Sequence, residues 1–231
     1  MSRVIAATRI QLISWLALVG WPWGILISSF MINLAVFAVI ADEMPNDPTT
    51  GGLLSIYVVT MIGAAQAITQ FFPFSLGLSL TRRTFYAATS LLLVAESLVF
   101  GVLLYLCSLV ERATDGWGMS LHFFVMPFMH SDNPLAQIVI LTVPFIVLGY
   151  IGICAALVLK RWGVGGLYLL SVVLLLLLGL LAVLITWQHW WLAVGRWFAD
   201  QSPLALFAGW PALLALLLAG AGLLAIRRAT A

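Results

Sequence analysis

Charge is missing from long stretches of this 231-residue chain and gathered into the short stretches between them. Uncharged runs occupy 10–41, 48–81, 133–159, 162–195 and 201–226, and 84–110 is interrupted only by Glu96. A helix needs about 20 apolar residues to cross the hydrocarbon core of a bilayer, so each of these six stretches can hold a span. Hydrophobic residues make up 64% of the chain and charged residues 8%. A soluble domain carries about 25% charge, so this chain has too little polar surface to keep a fold in water. An ordinary soluble protein, a disordered chain and a nucleic-acid binder are excluded. Closed β-barrels also satisfy every backbone group in lipid, but their strands alternate apolar and polar residues. Runs such as Leu174–Leu178 do not alternate. The reading is an all-α polytopic integral membrane protein.

The spans fall at about 20–40, 53–72, 87–110, 136–159, 165–187 and 204–226. Arg3, Arg9, Arg82, Arg83, Lys160, Arg161, Arg227 and Arg228 lie on one side of them, with no acid among them. The other side carries Asp42, Glu43, Asp47, Glu111, Asp115, Asp132 and Asp200, with Arg112 and Arg196 as its cations. An excess of Lys and Arg marks cytoplasmic loops. Six transmembrane helices with both termini cytoplasmic follow, in the cell membrane. Removing one span would reverse every later loop and scramble this segregation. The N-terminus lacks the small-residue cleavage site of a secretory signal. Cys107 and Cys154 fall in opposite leaflets on this topology, too far apart for a disulfide.

The whole chain, 1–231, reads as a single transmembrane domain. Residues 1–16 can form an interfacial helix before span one, although Arg9 interrupts its apolar face. Trp21-Pro22-Trp23 predicts a bend, and Pro73 is expected to end span two, because proline cannot continue the hydrogen-bond ladder. Pro144 and Pro211 can kink spans four and six. Gly163, Gly165 and Gly166 are expected to make the turn between spans four and five, and Gly209, Gly220 and Gly222 to allow close packing of span six. The segment 188–200 is rich in tryptophan and predicts an external interfacial or re-entrant helix. The external connection 112–135 is long and aromatic, and its role is open.

Several chemistries are absent. A phosphate-binding loop needs Gly-x-x-x-x-Gly-Lys-Ser/Thr, and Arg161 follows the one lysine, Lys160. Any ATP hydrolysis would belong to another chain. His122, His130 and His189 show no metal-ligand spacing, and no His-Glu-x-x-His or Gly-x-Ser-x-Gly motif occurs. No catalytic residue, metal or cofactor is expected in the chain, and it is not read as an enzyme. Within the spans the polar candidates are Asn33, Gln66, Gln70 and Glu96. An ionised group in hydrocarbon is costly and must face protein or water. Glu96 and Gln66 fall at similar depth on neighbouring spans, which predicts a hydrogen bond between them. These residues have two readings. They line a substrate path or proton site, or they join helices, as polar side chains do in membranes.

The connection between spans two and three is amphipathic: Phe72-Pro-Phe-Ser-Leu-Gly-Leu-Ser-Leu-Thr-Arg-Arg-Thr-Phe-Tyr86. Thr81 is expected to cap a helix whose first turn holds Arg82 and Arg83. Cations there oppose the helix dipole, so they are placed for lipid phosphates or an acidic partner surface. With this phrase, six spans and inward termini, the chain resembles the permease subunits of bacterial ABC export transporters. The resemblance implies that 73–86 is a cytoplasmic coupling loop, with Leu80, Thr81, Arg82, Arg83, Thr84, Phe85 and Tyr86 docking on an ATPase. It also implies partners: cytoplasmic ABC ATPase subunits, which bind the ATP and Mg, and a second copy or a homologous permease. The long 112–135 connection departs from the family's pattern.

The expected function is therefore a permease subunit of an ATP-driven ABC transporter, forming the membrane path for a hydrophobic or amphipathic solute. A non-transporting accessory or immunity membrane protein is one alternative. A proton-coupled carrier using Glu96 is another, weakened by the lack of an inverted repeat.

Overall fold

The computed structural model describes residues 16–40, 49–77 and 80–226. The segment expected to be an interfacial helix, 1–16, lies outside them apart from its last residue. Among the described residues the architecture is all-helical, with no strand. Helix α1 is Trp21–Ile40, preceded by a π turn at Leu16–Gly20. Helix α2, Leu54–Gln66, passes through a π turn at Ala67–Phe71 into α3, Phe72–Gly77. Helix α4 is Arg82–Ala113, α5 is Pro134–Trp187 and α6 is Trp191–Asp200. Helix α7, Trp210–Ile226, follows a π turn at Ala205–Gly209. Five stretches among the described residues are long and apolar enough to cross a membrane: Leu18–Val39, Leu54–Gly77, Arg82–Ala113, Pro134–Trp187 and Ala205–Ile226.

Pro73 does not end its helix as expected. Three π turns finish at Gly20, Phe71 and Gly209, each two residues before Pro22, Pro73 or Pro211. Proline has no N–H to donate, and its ring collides with the carbonyl of the residue four back. The wider i→i+5 register of a π turn moves the preceding carbonyls aside, so the helix carries on. Span two therefore runs through Pro73 to Gly77, and the helix continues past Trp21-Pro22-Trp23. Pro144, inside α5, has no such turn before it.

The stretches expected as spans four and five lie in one 54-residue element, α5. Gly163 alone is non-helical within it (φ 68°, ψ −166°), while Gly165 and Gly166 are helical. Only glycine adopts such a backbone without strain. All the buried residues of α5 lie between Gln137 and Leu157. From Trp162 to Asp200 the chain is exposed apart from a few half-buried positions.

The first half of α5 is the central element. Its Gly152 meets the carbonyl of Met61 on α2, and its Gly149 meets Leu93 on α4. A Cβ at either place would collide, so these helices cross at backbone distance, as membrane helices with small interface residues do. The hydroxyl of Tyr57 on α2 donates to the Leu141 carbonyl at 3.1 Å. Helix α7 packs at the end where α4 begins. There Tyr86 donates to the Ala219 carbonyl at 2.7 Å, and its ring lies against Gly222. Gly220 and Gly209 make no comparable approach. Cys107 and Cys154 are both free thiols.

Candidate functional site

Three of the four polar residues expected inside the spans line one crevice. Its walls come from Leu18 in the π turn before α1, from the start of α1 (Trp21, Pro22, Ile25), from α2 and the π turn after it (residues between Val59 and Phe71), and from Leu92 and Glu96 on α4. Gln66, Gln70 and Glu96 are the polar groups facing it, together with Thr60. The Thr60 hydroxyl is already committed to the Ile56 carbonyl at 2.8 Å. The crevice encloses about 450 Å³, within the range of small-molecule sites. It opens at the surface where Trp21, Ile62, Gln66 and Gln70 are exposed. Two π turns adjoin it, through Leu18 and through Ala67, Gln70 and Phe71. Such turns recur at functional sites because they break the regular register of a helix.

Glu96 is half-buried near the midpoint of α4. The expected hydrogen bond to Gln66 is not formed: among the described residues, no hydrogen bond or ion pair engages the Glu96 carboxylate. Glutamate and glutamine share a cavity instead of joining their helices. Asn33 is elsewhere. Its amide donates to the Ser29 carbonyl on its own helix at 2.8 Å, and it does not line the crevice.

Helices α3 and α4 pack against each other through Phe72 and Phe85. Thr81 is the N-cap of α4, with extended backbone and a hydroxyl that accepts from the Thr84 N–H at 3.2 Å. Of the residues expected to couple to an ATPase, Thr81 and Arg83 are exposed, and Leu80, Arg82 and Thr84 are half-buried. Phe85 and Tyr86 turn inward, with 1% and 5% exposure. Phe85 packs on Phe72 at 5.4 Å between ring centroids. These two residues hold α3 and α7, which leaves them unavailable to a docking surface. Phe74, two residues after Phe72, is exposed.

A second organised site, at the opposite end of α4, had no place in the sequence expectations beyond an acid in the loop. Glu111 is 1% exposed. Its Oε2 accepts from the Trp117 indole at 3.0 Å, the Phe123 N–H at 3.1 Å and the Phe124 N–H at 2.9 Å. Its Oε1 accepts from the Val125 N–H at 2.9 Å. This one carboxylate folds the connection 114–133 back over the helix ends, burying Leu121, Phe123, Phe124, Met126 and Met129. The reversal itself is left-handed: Asp115, Gly116, Trp117 and Gly118 all have φ between 52° and 76°. The signal available in the sequence was an acid at the end of a span followed by Asp-Gly-Trp-Gly and a run of aromatics. Farther out, Arg112 donates to His130 Nδ1 at 2.8 Å, and His130 Nε2 lies 3.3 Å from Asp132. Among the described residues no three His, Cys, Asp or Glu side chains gather to hold a metal ion.

Comparison with family models, with curated proteins and with solved structures gives no match. The functional reading therefore rests on the residues themselves.

Proposed function

We propose that the chain is a six-span membrane permease in which the Glu96 crevice takes up a solute, and that a separate cytoplasmic ABC ATPase drives its release. The observation that carries this reading is the crevice: a cavity between three membrane-length helices, with one carboxylate and two carboxamides in an otherwise apolar wall. An ionisable group at mid-helix in a membrane points to a path or a site, and among the described residues no hydrogen bond ties Glu96 to a neighbouring helix. The break at Gly163 supports six spans. As one continuous rod, 54 residues would run about 80 Å, far beyond a hydrocarbon core of about 30 Å. The positive-inside pattern supports a cytoplasmic Arg82 end and cytoplasmic termini. The Phe72–Tyr86 phrase supports coupling there, now narrowed to Phe74, Leu80, Thr81, Arg82, Arg83 and Thr84. ATP and Mg would bind the partner, and a second permease copy would complete the assembly.

The test is co-purification. The full chain and a candidate ABC ATPase are expressed together in a mild detergent, as wild type and as Arg82→Glu/Arg83→Glu. Retention of the ATPase by wild type and its loss from the folded double variant is expected. A folded wild-type chain that retains no ATPase would overturn the coupling. Glu96 then supports a second reading, a carrier driven by protons, which a Glu96→Gln variant with unchanged pH-dependent uptake would exclude.

A further inference from the structure

We infer that the crevice between α1, α2 and α4 is a binding site for a lipophilic monovalent cation, with its charge at Glu96 and its apolar body against α1 and the α2 π turn. The inference deepens the permease reading, since it names the solute class, but the binding itself requires no ATPase.

Charge decides the class. Among the described residues Glu96 is the one ionisable side chain in the wall, and no lysine, arginine or histidine of theirs lines it. An anion would meet a carboxylate and no countercharge. A sugar or other polyol would need many donors and acceptors, whereas Thr60 is engaged and only Gln66, Gln70 and Glu96 remain. An ionised carboxylate within a membrane is stabilised by a partner of opposite sign, and Glu96 has none among the described residues. A cation supplies that partner, and the two glutamine carbonyls add acceptors for an ammonium head. A bare calcium ion takes about six to eight oxygen ligands, more than one carboxylate and two carboxamides supply.

Shape and access decide the rest. Leu18, Ile25, Val59, Ile62, Phe71 and Leu92 contact the body of a ligand, not its charge. Trp21 stands at the mouth, exposed, where its ring face can receive a cation on entry. Ile62, an apolar residue, is exposed at the mouth beside Gln66 and Gln70, so an amphiphile meets both kinds of surface on entry.

The experiment uses the purified full chain in lipid nanodiscs and radiolabelled tetraphenylphosphonium as probe, with tetraphenylborate as the anion of matched size. Saturable tetraphenylphosphonium binding to wild type is expected, with at least tenfold weaker binding to Glu96→Gln and no saturable tetraphenylborate binding. A second variant fills the cavity without touching the charge. Gly63 lines the crevice, and a Cβ there meets nothing within 4 Å, so Gly63→Phe should fold and block it. Asn33→Ala, outside the crevice, should bind as wild type. Absence of saturable cation binding to wild type would overturn the site, as would wild-type affinity in folded Glu96→Gln or Gly63→Phe. If the ATPase co-purifies but the cation does not bind, the site fails while the permease reading stands. The reverse result separates them the other way.

Discussion

The indole N–H of Trp117 donates to the buried Glu111 carboxylate at 3.0 Å, while Trp117 itself sits in the left-handed region at φ 61°. A bulky residue at positive φ costs about 1–2 kcal/mol, and this one is held there by a charge-assisted hydrogen bond. Three backbone N–H groups from Phe123, Phe124 and Val125 share the same carboxylate. The buried tie between the connection 114–133 and the end of α4 is thus concentrated in one carboxylate, with the exposed Arg112–His130 pair outside it.

Glu111→Gln should release that tie. A carboxamide offers one acceptor oxygen and turns its own NH₂ toward donors. Hydrogen bonds to a charged group contribute about 1.5–3 kcal/mol each, so a loss of about 3 kcal/mol is expected in unfolding titrations in mixed micelles. The variant should also gain protease cleavage within 114–133. Unchanged stability and an uncut connection would show that the apolar face of this segment holds it unaided.

Phe85 and Arg83 are two residues apart and should behave in opposite ways. Phe85 is buried against Phe72, and truncating a buried phenylalanine costs about 3–5 kcal/mol. Phe85→Ala should destabilise the chain by that order. Arg83 is exposed, and Arg83→Glu should leave stability within about 0.5 kcal/mol while weakening ATPase retention. Equal destabilisation by both would mean that the start of α4 is core and not a docking surface.

Gly222 tests the seam between α4 and α7. A Cβ there would stand 2.6 Å from the Tyr86 hydroxyl oxygen. Gly222→Ala must push the ring away and break its bond to Ala219, and overpacking of this kind costs about 1–3 kcal/mol. Tyr86→Phe removes only the hydrogen bond, about 0.6 kcal/mol on average in a membrane helix bundle. The alanine variant should therefore be the less stable of the two, by the same micelle titration.

Span-length helices were legible because the hydrocarbon core imposes a length and forbids charge, and both are written in one dimension. Glu96, Gln66 and Gln70 were legible as a group for the same reason, since their depth follows from their distance along each helix. Their hydrogen bonding was not legible: depth says nothing of rotation about the helix axis. Pro73 misled because a proline forbids one hydrogen bond, and a π turn two residues earlier removes that demand. Glu111 was hidden because its partners are mostly backbone N–H groups, which leave no mark in residue identity. Phe85 and Tyr86 belong to an amphipathic phrase that fits a docking loop and a pair of packed helices equally well.

The break at Gly163 makes the topology testable. If α5 crosses the membrane twice, Trp162 lies on the same side as Arg83, and Gln188 lies on the side of Asp132. Single cysteines at these four positions, in a Cys107→Ser/Cys154→Ser background, report this through a membrane-impermeant maleimide applied to sealed, oriented vesicles. Positions 83 and 162 should label from one side and 132 and 188 from the other. Gly163→Val should disturb the pattern locally, because a β-branched residue at φ 68° is strained, and it should lower the yield of folded chain. Labelling of 162 and 188 from the same side would leave α5 with a single crossing or none. Six spans, and the cytoplasmic placement of the C-terminus that depends on their number, would then have to be abandoned.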